Sequence, residues 1–232
     1  MNTIMLGRSA GFFALVLWGT TLQSAPPERV KLTYDTSYNG LVVAETVEVL
    51  EHDSRTYVIT SEVRGRGILA LAGVLKRTSR GRITPQGLRP DEYRDQRGER
   101  WAVTARFDWS ARLLTQEKNG TTETLAMPVT AQDPLSLAYS FAFFPPNGKE
   151  FEVTRADGRG LSPFKFVVVG SEKLGTPAGE LQTLHISKEP DGPGDKATDI
   201  WFASERNYLP VRVLVVDKDG TRADQVVTRI GN

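Results

Sequence analysis

The imidazole and thiol chemistry of this chain is confined to His52 and His185, because it has no cysteine. Neither histidine belongs to a ligand spacing such as HExxH, and without cysteine a zinc site would have to be built from histidine and carboxylates alone. A Ser-His-Asp hydrolase announces itself by GxSxG, which is absent. Asp157-Gly158-Arg159-Gly160 and Arg64-Gly65-Arg66-Gly67 are rich in glycine but lack phosphate-loop spacing, and they read as tight turns. Asp91, Glu92, Asp195 and Asp199 fall in loops or on exposed faces, and no pair stands out as facing across a cleft. The expectation is a chain with no catalytic residue, no metal and no cofactor. A hydrolase with an unrecognised site, tested at Ser136, is the third-ranked reading.

Two other groupings could bind. Trp101, Phe107 and Trp109 share one face of an alternating segment. Leu135, Ser136, Tyr139, Ser140 and Phe143 belong to a greasy stretch farther on. Aromatic walls with a few hydroxyls are the usual lining of a lipid pocket. Between Arg64 and Arg106 there are eleven Lys or Arg against Asp91, Glu92, Asp95 and Glu99. Within this run Lys76, Arg77, Arg80 and Arg82 could hold a lipid headgroup or an acidic partner. The competing expectation is that acidic strands such as Glu45–Glu62 pair across from them.

The elements that must position these groups are mostly strands. Gln132–Phe144 is the exception: Asp133 is a good N-cap, Pro134 suits the first helical turn, and Pro145-Pro146-Asn147-Gly148 stops it. The helix expected at 133–144 is apolar on nearly every side, so it must be buried on most of them. Before it, alternation marks Val30–Asp35, Leu41–Leu50, Tyr57–Val63, Lys76–Thr84, Leu88–Gln96 and Trp101–Trp109, then Leu113–Glu117 and Thr121–Ala126. Asn39-Gly40 and Asn119-Gly120 are two-residue hairpin signals. After the helix come strands near 151–155, 164–170, 180–187, 198–203, 210–216 and 224–230. Gly65–Leu75 breaks the alternation with no polar face, reading as a short helix or capping loop, and its exposure would mark a contact site. The fold class expected is mainly β: a curved antiparallel sheet or open half-barrel of about ten to twelve strands wrapped around one buried helix.

Residues 1–25 read as a secretory signal peptide: Arg8, then an apolar run from Ala10 to Leu22, then Ser24 and Ala25. The run is too short to span a bilayer. Residues 26–232 then form one β-rich domain. The leader takes Arg8 from the 29 Lys and Arg, leaving a mature chain neutral against its 28 Asp and Glu. No cysteine means no lipoprotein acylation and no disulfides. The expected location is the periplasm, where nucleic acid is not a partner.

Four phrases occur in a fixed order: Tyr38-Asn39-Gly40-Leu41, Gln132-Asp133-Pro134-Leu135-Ser136, Trp201-Phe202-Ala203 and Leu209-Pro210-Val211-Arg212-Val213. Together they resemble the bacterial exported family catalogued as domain of unknown function 3108, over roughly Leu32 to Val216. That resemblance implies an exported β-rich protein and carries no activity or site residues with it. The architecture is also analogous to the half-barrels of periplasmic lipoprotein carriers, and fold does not settle function.

Three functions follow in order. The first is a non-enzymatic envelope protein holding a lipid or other apolar ligand between sheet and helix. The second is an envelope assembly protein with a solid core, docking a partner protein by a sheet edge or by Gly65–Leu75. The third is the hydrolase. Contact with a membrane surface is compatible with the first two.

Overall fold

The computed structural model describes residues 25–98, 101–188, 190, 192 and 195–231. The expected signal peptide lies outside the described residues except for Ala25. The chain runs outward through a meander, turns in at one helix, and returns through a second meander. The outward arm is β1 (Arg29–Tyr38), β2 (Leu41–His52), β3 (Thr56–Gly65), β4 (Leu75–Thr84), β5 (Gly87–Arg97), β6 (Trp101–Asp108), β7 (Leu113–Lys118) and β8 (Thr121–Ala126). Then come the two-residue β9 (Ala131–Gln132) and helix α1 (Pro134–Phe143). The return arm is β10 (Glu150–Ala156), β11 (Leu161–Thr176), β12 (Gly179–Lys188), β13 (Ala197–Ala203), β14 (Leu209–Val216) and β15 (Arg222–Gly231).

The fifteen strands among the described residues all join one sheet, ordered from β8 down to β1, then from β15 down to β9. Its two arms are fused by antiparallel pairing of β1 with β15, Leu32 opposite Ile230. Every pairing is antiparallel except β9 with β10. The sheet curves but does not close, and β8 and β9 remain its edges. The strand count exceeds the expected ten to twelve. Charge-rich segments such as β5 are full strands because their polar residues find partners across the ladder, as Arg80 does with Glu92 at 3.1 Å.

Local chemistry explains the turns. Asn39 and Gly40 have φ of 49° and 84°, and Asn119 and Gly120 have 52° and 77°, the left-handed pair that a tight hairpin demands. Helix α1 starts where Asp133 Oδ1 accepts from Leu135 N at 2.8 Å and Ser136 N at 2.9 Å, while Asp133 N donates to Ser136 Oγ at 3.0 Å. It packs against β4, β5, β10 and β14 on the concave side. Leu135, Tyr139 and Ala142 enter the larger core with Leu32, Leu50, Ile59 and Leu114. Leu137 and Phe141 enter a second core with Phe166, Ile186, Ile200 and Phe202. A helix greasy on both sides is thereby explained: it is gripped from both arms of the sheet. No helix among the described residues is long and apolar enough to cross a membrane.

The turn between β10 and β11 reaches over to the outward arm. Arg159 bonds the buried Asp95 at 2.8 Å, and Gly160 N donates to Gln116 Oε1 at 2.7 Å. The open side of the sheet is thus bridged by the turn at one end and filled by α1 at the other.

Candidate functional site

Two of the three hydroxyls expected in a pocket, those of Ser136 and Tyr139, are internal. Tyr139 is fully buried and donates to Glu48 Oε2 at 2.9 Å, while Ser61 donates to Glu48 Oε1 at 3.1 Å. Burial pushes the Glu48 carboxyl up from its ordinary value, against the opposing pull of those two hydroxyls and of Arg77. Beside it, Ser79 donates to Asp133 Oδ2 at 2.6 Å, and the Tyr57 hydroxyl lies 3.1 Å from Ser79 Oγ. Burial raises Asp133 to about 6, opposed by hydrogen bonds from Ser79, Ser136 and Leu135. Tyr34 closes the set by donating to Pro210 O at 2.7 Å. This network fastens α1 to β1–β4. Asp133 and Ser136 have no accessible surface, so it is not poised to meet a substrate.

Of the helix residues expected to line a ligand pocket, Leu135, Ser136 and Tyr139 are sealed in the core. Ser140 and Phe143 are half-buried, the latter edge-on to His52 at 4.8 Å. The strand residues behave differently. Phe107 and Trp109 stack at 6.0 Å and line an open pocket of about 530 Å³ together with Arg82, Arg89, Asp108 and Ser110. Trp101 starts β6, and its side chain lies outside the described residues. The structure therefore splits the expected set: it brings Phe107, Trp109 and Arg82 together and leaves the helix out.

This pocket forms where β5 and β6 part. Their pairing ends at Glu92 opposite Arg106, and Trp109 Nε1 donates across the gap to Pro90 O at 2.6 Å. A bulge in β5 at Asp91, opposite Arg80 and Gly81 of β4, sets Arg82 opposite Arg89. Gly81 is required there, since a Cβ would lie 2.2 Å from Arg89 O. The Arg89 guanidinium rests 4.5 Å from the centre of the Trp109 ring.

The other basic residues expected to hold a headgroup are already paired. Lys76 meets Glu62 at 2.8 Å, Arg80 meets Glu92 at 3.1 Å, and Arg77 points inward toward Asp95 at 3.9 Å. Arg82 meets Asp91 at 3.0 Å. The cross-strand acids answer the bases.

His185 belongs to a cross-strand ladder on β12 and β13. Its ring stacks on Trp201 at 4.3 Å and its Nε2 lies 2.9 Å from Asp199 Oδ1, while Trp201 Nε1 donates to Glu172 Oε1 at 2.5 Å. The Arg212 guanidinium lies 4.7 Å from the same indole. Cross-strand register made this ladder, which single-strand alternation does not reveal. Among the described residues, no group of three or more His, Asp or Glu is placed to hold a metal ion.

The segment Gly65–Leu75 holds a 3-10 turn, Gly67–Ala72, with no buried residue. Ile68 and Leu71 are 82% and 87% exposed, and Leu69 and Val74 are also open to solvent. Tyr38, Leu41 and Val42 are exposed on the neighbouring hairpin at the same end of the sheet. The pocket at Trp109 lies at the opposite end, where β4 turns into β5 and β6 into β7.

No curated protein matches the chain. Among solved structures, a β-barrel-like protein of the DUF1849 family from Brucella abortus superposes with a TM-score of 0.57 at 11% identity, covering 90% of this chain and 99% of that one. The likeness is one of fold. A protein with a YmcC-like fold from Bacteroides fragilis gives 0.44 at 12% identity, covering 88% of this chain and 95% of that one. The family model described as protein of unknown function, DUF3108, matches residues 33–227, and the chain belongs to that family.

Proposed function

We propose that this is an exported cell-envelope protein that works by contact rather than catalysis. Its contact element is the apolar turn between β3 and β4, laid into the surface of a lipid bilayer. The observation that carries this reading is the exposure of Ile68 and Leu71 on a segment without a charge from Gly67 to Leu75. Soluble proteins keep such clusters covered unless they serve a contact.

The turn is also built to stay as it is. Arg66 N donates to Val43 O at 2.7 Å and Leu69 N to Arg66 O at 3.2 Å. Gly65 has no room for a side chain, because a Cβ would fall 2.4 Å from Leu69 O. A protruding, convex set of aliphatic side chains suits a fluid surface, which needs no matching shape. Burying Ile68 and Leu71 gives about 1.5–3 kcal/mol each, enough for reversible binding. Arg64, Arg66 and Lys76 at the base are engaged by Glu62 and Asp35, so burial rather than charge supplies the attraction.

Co-sedimentation with phosphatidylcholine vesicles tests this. The wild-type chain is expected to bind at low and high salt, and the Ile68→Ser/Leu71→Ser double variant to remain in solution with an unchanged circular dichroism spectrum. Equal partitioning of the two proteins, or capture of a protein partner by the turn with no vesicle binding, overturns the reading.

A further inference from the structure

We infer that the pocket walled by Phe107 and Trp109 is a binding site for an oxyanion carried on an alkyl stem, with Arg89 as the group that holds the oxyanion. This site stands apart from the membrane reading: it lies at the other end of the sheet and needs no bilayer.

The argument starts from an imbalance. Arg82 and Arg89 face one another directly across β4 and β5. Like charges so placed repel unless something lies with them. Arg82 is answered by Asp91 at 3.0 Å. Arg89 is not: among the described residues its side chain makes no ion pair and no hydrogen bond, and its Nε is buried without a partner. The other carboxylate at the rim, Asp108, is turned to its own loop. It accepts from Ser110 Oγ at 2.6 Å, Ala111 N at 2.9 Å and Ser110 N at 3.0 Å.

Arg89 is nevertheless held still. Its guanidinium lies 4.5 Å from the Trp109 ring, Trp109 is pinned by its bond to Pro90 O, and Phe107 stacks beneath at 6.0 Å. A planar guanidinium with its donors unspent and its plane fixed by an aromatic ring is the side chain best suited to grip a carboxylate or phosphate by two parallel hydrogen bonds. The aromatic walls beside it, in a space of about 530 Å³, suit the hydrocarbon that such a group carries on an amphiphile. Charge alone does not satisfy this pocket, and neither does hydrocarbon alone.

Isothermal titration calorimetry of the full chain with four probes tests the inference: octanoate, octyl phosphate, octanol and inorganic phosphate. Octanoate and octyl phosphate are expected to bind and the other two are not. The ratio of the first two tells whether a carboxylate or a phosphate is the natural head. Arg89→Gln is expected to weaken both by about ten- to a hundredfold. Arg80→Gln, on the same strand pair and exposed, leaves them unchanged, as does Leu71→Ser in the distant turn. Urea unfolding of Arg89→Gln separates lost binding from lost fold, and Arg89→Lys, which keeps the charge but not the fork, gives an intermediate affinity. Binding of octanol as tight as that of octanoate, binding of inorganic phosphate alone, or equal affinity in the wild type and Arg89→Gln overturns it.

Discussion

Tyr139 and Glu48, 91 residues apart, meet in the core with the tyrosine hydroxyl 2.9 Å from Glu48 Oε2. The pair links α1 to β2, and it explains why a tyrosine sits in a helix whose neighbours are leucine, phenylalanine and alanine. Tyr139→Phe leaves a buried carboxylate oxygen without its donor, so a loss of about 1–3 kcal/mol is expected in urea unfolding. Removing both groups, as Tyr139→Phe with Glu48→Met, is expected to cost less than the sum of the two single changes. Simple additivity would show that the hydrogen bond does not couple them.

The pH dependence of stability follows from Asp133. Its folded value of about 6 lies above the ordinary 3.8, so between these limits the folded chain binds the proton more tightly than the unfolded chain. The unfolding free energy therefore falls as pH rises through that window, by up to about 2–3 kcal/mol from this group. Glu48, raised by burial, acts in the same direction. Asp133→Asn keeps an N-cap oxygen and removes the proton. Denaturant titrations from acid to neutral pH are expected to show a shallower slope in the variant, and an identical slope would contradict the assignment.

Two glycines on the return arm should respond in opposite ways. Gly158 has φ of 77°, and a Cβ there would meet Val103 Cγ1 at 2.1 Å, where the β10–β11 turn presses on β6. Gly175 has open space around it and no positive φ. Gly158→Ala is expected to lower stability by about 1–3 kcal/mol, and Gly175→Ala to leave it nearly unchanged. Thermal melts of the two variants side by side check whether the turn is docked as described.

Much of this architecture was legible in the residues. Asp133-Pro134 and the double proline after Phe144 fix the helix, and the two Asn-Gly pairs fix hairpins, because these signals act within a few residues. Pairings between distant segments were not legible. Glu48 shares strand parity with Leu50 and Thr46, and this was the signal that it faces inward, yet its partners Ser61 and Tyr139 come from other elements. Arg89 joined Trp109 only because of the β5 bulge at Asp91, and His185 joined Trp201 only through the register of β12 on β13. Phe107 and Trp109 do share a face at the end of β6. That it would divide from the helix, with Phe107 and Trp109 at a surface pocket and Tyr139 in the core, depended on how the whole sheet curls.

The absence of native cysteine allows the proposed contact to be watched at one residue. A polarity-sensitive fluorophore is attached through Leu71→Cys in the exposed turn, and in a second protein through Ala178→Cys in the β11–β12 turn at the opposite end of the sheet. On mixing with phosphatidylcholine vesicles, the label at position 71 is expected to shift to the blue and become shielded from an aqueous quencher, while the label at 178 does neither. A label at 71 that stays in water, or equal shifts at both positions, would contradict the claim that this turn enters the bilayer.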